Sequence, residues 1–205
     1  KIPPFIATLG MMMLLKGLSL VISGTKPIYF SDVAEFSSIS QDSFIGYFLP
    51  DLPIPNAVLI LFLVALLGAF ILNKTVLGTY TFALGSNEEA VRLSGVDVDR
   101  WKIIIYSFAG SLCGIAGLMI ASRLNSAQPA LGPGYELDAI AAVVIGGTLL
   151  TGGYGFVAGT FIGVMLQGLV QTYIVFDGTL SSWWTKIVVG VLLFMFIVLQ
   201  RLVFR

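Results

Sequence analysis

The side chains that could do chemistry in this sequence are few, and the missing types narrow the choice. There is no histidine, and Cys113 is the only cysteine. A His/Cys zinc site, haem held by histidine and an internal disulfide are therefore excluded. No G-x-x-x-x-G-K-[ST] occurs, so ATP hydrolysis through a phosphate-binding loop is excluded as well. The densest charge lies in residues 85–102, GSNEEAVRLSGVDVDRWK. Ser86 followed three residues later by Glu89 reads as a capping box, and Glu88 and Glu89 fall in a first turn, where the helix dipole favours anions. Gly95 suits the left-handed position that ends a helix. These signals predict a helix over 87–94, after which Asp97 or Asp99 caps the next one. Ala90, Val91 and Leu93 offer it a small apolar surface beside Glu88, Glu89 and Arg92. Such a helix either docks in a groove of a soluble partner or lies on lipid headgroups, and its acidic first turn counts against anionic lipid.

Uncharged polar groups recur in the apolar stretches. Gln167 and Gln171 are four apart on one helix face, with Thr160 on nearly the same stripe. They either line a wet path, where amides and hydroxyls match those of a solute, or form the interhelical hydrogen bonds common in membranes. Glu136 and Asp138 stand before a short apolar element, 139–150, either as simple caps at the outer surface or as part of an outer gate. Lys16 is the deepest cation and can snorkel outward, and Lys186 beside Trp183 and Trp184 reads as an interfacial anchor. Gly155, Gly159 and Gly163 form a G-x-x-x-G-x-x-x-G ridge, and Gly110 and Gly114 repeat the spacing. Both read as close helix packing.

The elements that must position these groups follow from composition. Of 205 residues, 57% are hydrophobic and 11% charged, and the mean hydropathy is +0.97. A soluble domain carries roughly 25% charge, so neither a water-soluble globule nor a disordered chain fits. Long apolar runs without alternation point to helical spans rather than a barrel. Zero net charge with scattered basic residues excludes a nucleic-acid reader. Spans are expected at 4–23, 56–72, 103–122, 157–175 and 181–200. Residues 24–55, with Pro50, Pro53 and Pro55, read as a loop, 73–102 as a polar segment, and 123–138, with Pro129 and Pro133, as a second loop. The short 139–150 piece, followed by glycines 146–155, reads as a half-helix or re-entrant element. The expected fold is an all-α polytopic membrane helix bundle of about five spans, with a broken helix and a coupling helix. Placing 73–102 and the C-terminus in the cytoplasm puts seven of eleven basic residues inside, against four of eleven acidic ones. It also requires 139–155 to bring the chain to the cytoplasmic side.

The strings ALGSNEEAVRLSGVDVDR and SAQPALGPGYELDAIAAVVIGGTLLTGGYG resemble ribose-type monosaccharide permeases of ATP-binding-cassette importers, and QTYIVFDGTLSSWWTKIVVGVLLF is similar to their galactofuranose branch. Glu89, Ala90 and Gly95 match the loose E-A-A-x-x-x-G coupling-loop pattern, and Val91 departs from it. The likeness runs over nearly all of residues 1–205, which correspond to the C-terminal two thirds of such a permease. It implies one membrane permease domain in a bacterial inner membrane. It also implies a second permease subunit, a cytoplasmic ATPase contacted by residues 86–95, and an extracytoplasmic sugar-binding protein. The chain would bind no cofactor, with ATP and magnesium on the ATPase. An ion-coupled secondary transporter is the alternative. It would usually need a carboxylate inside a span, and the expected spans contain none.

Overall fold

A computed structural model describes residues 4–30, 34–44, 54–132, 134–177 and 182–203. Pro50, Pro53, Pro133, Lys1 and Arg205 lie outside the described residues. Long apolar runs become helices because a helix satisfies its own backbone polar groups where no water is present. In chain order these are α1 (Pro4–Ser23), α2 (Ala34–Gln41), α3 (Asn56–Lys74), α4 (Val76–Ser86), α5 (Glu88–Leu93), α6 (Val98–Leu124), α7 (Tyr135–Ile145), α8 (Val157–Asp177) and α9 (Ser182–Val203). Two short strands, β1 (Ile28–Tyr29) and β2 (Ser126–Ala127), pair antiparallel. Among the described residues, α1, α3, α6, α8 and α9 are long and apolar enough to cross a bilayer. Their outer faces carry bare apolar side chains such as Val21, Leu66, Phe176 and Phe194, as a lipid-covered bundle requires. The chain is thus an all-α polytopic membrane protein.

The chain divides into two units, residues 1–60 with 110–133 and residues 61–109 with 134–205. In the first unit, the supposed loop 24–55 holds the two-turn helix α2. Its sequence, AEFSSISQ, has no apolar stripe that would announce a helix. It is held by tertiary bonds instead. Ser122 Oγ of α6 donates to the Phe36 carbonyl at 2.6 Å and lies 2.9 Å from Ser40 Oγ. Gln41 Nε2 donates to the Arg123 carbonyl at 2.8 Å. Asn56, the first residue of α3, bridges to Ser38 and Phe44.

In the second unit the core is small. Ala141, Ala142 and Val144 of α7 are buried with Gln167 and Ile174 of α8 and Val189 of α9. The expected polar segment 73–102 contains an uncharged helix, α4, because the charge is concentrated after residue 86. The chain bends at Thr75 so sharply that a Cβ at Gly78 would collide with the Leu72 carbonyl. The span expected at 103–122 extends to Val98–Leu124. The short helix expected over 139–150 runs instead over Tyr135–Ile145. Gly146 and Gly147 end it, and Glu136 and Asp138 lie inside its first turn rather than before it.

Candidate functional site

Two regions of the second unit gather the polar groups. The first is built around α5. Asn87 has an extended backbone, φ −157° and ψ 100°, and its N–H donates to the Ala83 carbonyl at 3.0 Å. Its side chain accepts from the Ala90 N–H at 3.1 Å. One residue therefore closes α4 and caps α5. The expected cap was Ser86, but Ser86 is the last residue of α4. Asn87 outcompetes it because a cap must stand outside both helices with its oxygen over the third N–H. Gly95, at φ +84°, ends the helix as predicted, and Asp97 Oδ1 accepts from the Arg100 N–H at 3.2 Å to start α6. Val91 is buried, whereas Glu88, Glu89, Ala90 and Arg92 are exposed, as is Leu93 at 83%.

Charged side chains tie α5 to the first turns of α6. Lys102 Nζ lies 2.6 Å from Glu88 Oε2, and Arg92 lies 3.6 Å from both Glu88 and Asp99. All are well exposed, so each pair is worth about 0.2–1 kcal/mol. The links to Asp99 and Lys102 set an orientation more than they supply stability. Tyr80 of α4 packs against Trp101 with ring centroids 4.4 Å apart and the planes tilted by 46°, which adds an apolar hold between α4 and α6.

The second region is the hairpin of α7 and α8. A Cβ at Gly163 would collide with the Ala142 carbonyl, and one at Gly159 with the Gly146 carbonyl. One helical turn of four residues further along, Gln167 Nε2 donates to Asp138 Oδ1 at 3.4 Å. The steps 146 to 159, 142 to 163 and 138 to 167 define an antiparallel pair in steady register. Gly155 lies outside α8, in the turn, with its missing Cβ filled by Thr148. Gly110 and Gly114 have no described atom near their missing Cβ positions, so the described residues do not cover that ridge.

Thr160 and Gln167 share a helix stripe but face different surroundings. Thr160 lines a cavity of about 450 Å³ with Thr81, Gly85, Thr148 and Gly153. Gln167 is 6% exposed and its amide is taken by Asp138. Gln171 is half-buried. Asp138 and Lys186 line a second cavity of about 200 Å³ with Gly134, Leu137 and Ala141 of the α7 end and Val189 of α9. Lys186 Nζ stands 5.1 Å from the Trp183 ring, as an interfacial anchor would.

Two features were missed in the sequence. The backbone of Gly152–Gly153 lies on Gly85 and Ser86: a Cβ at Gly85 would come within 2.8 Å of the Gly153 nitrogen, and one at Gly153 within 3.0 Å of Ser86. Both loop glycines have positive φ, 87° and 79°. The tip of the turn after α7 therefore meets the chain one residue before the α5 cap. Gln200, near the end of α9, donates to the carbonyls of Val144 at 3.2 Å and Thr148 at 3.1 Å, and so ties α9 to the end of α7 and the turn after it. The run GGYG and a lone Gln in the last apolar span were the visible signals. Only proximity assigns them partners.

Comparison with known proteins adds the following. Residues 1–197 match the family described as branched-chain amino acid transport system / permease component. The inner membrane ABC transporter permease protein YjfF of Escherichia coli is 43% identical over 202 residues, 98% of this chain and 60% of that protein. The ribose import permease protein RbsC of Bacillus subtilis is 41% identical over 202 residues, again 98% and 60%. The fructose import permease protein FruG of Bifidobacterium longum is 36% identical over 203 residues, 98% and 59%. The chain thus spans about three fifths of the length of these relatives. No solved structure matches it.

Proposed function

The chain belongs to the family of branched-chain amino acid transport system / permease components, and from that premise we propose that it forms part of the membrane pathway of an ATP-binding-cassette importer for a monosaccharide. The relatives named for ribose and fructose import support the solute class. The family and these relatives favour this reading over an ion-coupled carrier. The pathway is completed by a second permease subunit, and an extracytoplasmic binding protein delivers the sugar. Hydrolysis belongs to a cytoplasmic ATPase, which holds ATP and magnesium. The C-terminus and α5 face the cytoplasm of a bacterial inner membrane, in keeping with the bias of basic residues.

One observation carries the mechanism: a helix capped at both ends, with exposed Glu89, Ala90 and Leu93, is joined to the membrane helices through backbone contact. Residues 86–95 dock in a groove of the ATPase. Closure of the ATPase pair moves α5 as a unit, because Glu88 and Arg92 pair with Lys102 and Asp99 of α6. The Gly85–Gly153 contact passes this movement to the turn after α7, and the glycine-packed α7–α8 hairpin shifts between two arrangements. Thr160, Gln167 and Gln171 supply the polar groups along the pathway.

The test is side-specific labelling. In the complete permease with Cys113 replaced by Ser, Leu93→Cys is treated with a membrane-impermeant maleimide. Reaction is expected only in inside-out vesicles, with protection when the ATPase is bound. Reaction from the cell exterior would end the docking role and the importer reading with it.

A further inference from the structure

The register of the α7–α8 hairpin sets a depth. Gln167 is the eleventh of 21 residues in α8, a helix about 31 Å long, close to the ~30 Å thickness of the hydrocarbon layer. Asp138 is therefore level with the middle of α8, and α7, with 11 residues, covers only half of α8. In its first turn Tyr135, Glu136 and Leu137 are exposed and Asp138 is half-buried. A carboxylate at that depth is costly unless it is well bonded. Asp138 has one side-chain partner among the described residues, the Gln167 amide at 3.4 Å, a long contact. An ionised carboxylate can accept about four hydrogen bonds, so most of its capacity is open. Glu136, the other acid of the turn, folds back to accept from the Gly134 N–H at 3.2 Å. Asp138 instead lines the 200 Å³ cavity, whose rim carries Lys186. Among the described residues these two form no ion pair.

We propose that Asp138 and Gln167, with Lys186 at the rim, form a midway binding station for an uncharged, polyhydroxylated solute. This rests on the sugar-import reading above. The chemistry selects against ions of either sign: Asp138 repels anions, and Lys186 repels cations at the entrance. Hydroxyl groups satisfy the station because they donate to the carboxylate and accept from the amide and the ammonium. The apolar remainder of the cavity, Leu137, Ala141, Val189 and Leu193, suits the carbon face of a sugar ring. Binding there is weak by construction, since one carboxylate and one amide offer few bonds and the solute must leave again.

The experiment uses the complete permease as encoded in its native gene, reconstituted in liposomes with its ATPase and binding protein. Uptake is compared for whichever of D-ribose and D-fructose the wild type carries, against a singly deoxygenated analogue. The binding protein is the same throughout, so any change in preference arises in the permease. Asp138→Asn and Gln167→Leu are expected to lower sugar uptake about tenfold and to reduce the preference over the analogue at least fivefold. If Asp138→Asn fails to insert, Asp138→Glu, which displaces the charge by one methylene, is read by the same ratio. Equal losses for both solutes, or no loss, would assign the pair to packing and overturn the station alone. Transport of neither sugar by the wild type would overturn the sugar-import reading and this one together.

Discussion

The coupling helix α5 and the α7–α8 hairpin lie in one unit and are held by opposite means. Around α5, six residues are fixed by an Asn cap, a glycine stop, one buried valine and ion pairs between exposed side chains. In the hairpin, backbone rests on backbone, with Gly159 and Gly163 against the carbonyls of Gly146 and Ala142. The first arrangement rests on local caps and exposed charge pairs, and the second tolerates no added atom. The Gly85–Gly153 contact is where the two meet.

That contrast can be broken most severely in the hairpin. Gly163→Leu is expected to force the two helices apart, at a cost of about 3 kcal/mol or more, read as a lost or strongly lowered Tm in detergent. Gly114→Leu on α6 serves as the control, because no described atom lies near that position, and should leave the Tm of the isolated subunit unchanged. Equal effects at both glycines would mean that the register described here is wrong.

The joint should respond next. Gly153→Val adds a side chain at positive φ against Ser86, so insertion and ATPase pull-down should persist while sugar-dependent stimulation of hydrolysis falls about tenfold, or about 1.4 kcal/mol of coupling. Stimulation at the wild-type level would remove this contact from the mechanism. Asn87→Ala should loosen α5 by about 1 kcal/mol, measured as roughly fivefold faster amide exchange over residues 88–93, with the exchange of α8 unaltered. Protection of 88–93 that does not change would return the cap to Ser86. The smallest effect is expected from Lys102→Met, at most about 1 kcal/mol. Any weakening of ATPase capture should be visible at low salt and vanish at high salt. A loss independent of salt would mean that Lys102 acts through its stem and not its charge.

Local rules made the α5 region legible. Glu88 and Glu89 fall in the first turn and Gly95 ends the helix, as predicted, and the helix limits were wrong by one residue at each end. The cap slipped from Ser86 to Asn87 because both are good cap types, and only the end of α4 decides between them. Helix α2 was illegible for a different reason. Ala34–Gln41 has little helical patterning, and the bonds from Ser122 and Arg123 come from more than 80 residues away. The partner of Asp138 was illegible in the same way. In sequence it precedes an apolar run, as a surface cap does, and nothing local says that its side chain meets Gln167, 29 residues further on.

By itself, then, the sequence determined that the chain is helical and lies in lipid, where its main spans are, and where one short capped helix interrupts them. Each of these follows from runs of apolar residues or from groups within four residues of one another. Tertiary structure decided which glycine ridge is packed, which turn touches the end of α4 beside the coupling helix, and which amide a single carboxylate meets. Those depend on approaches between backbones far apart in the chain, and a glycine records only that such an approach is allowed, not what makes it.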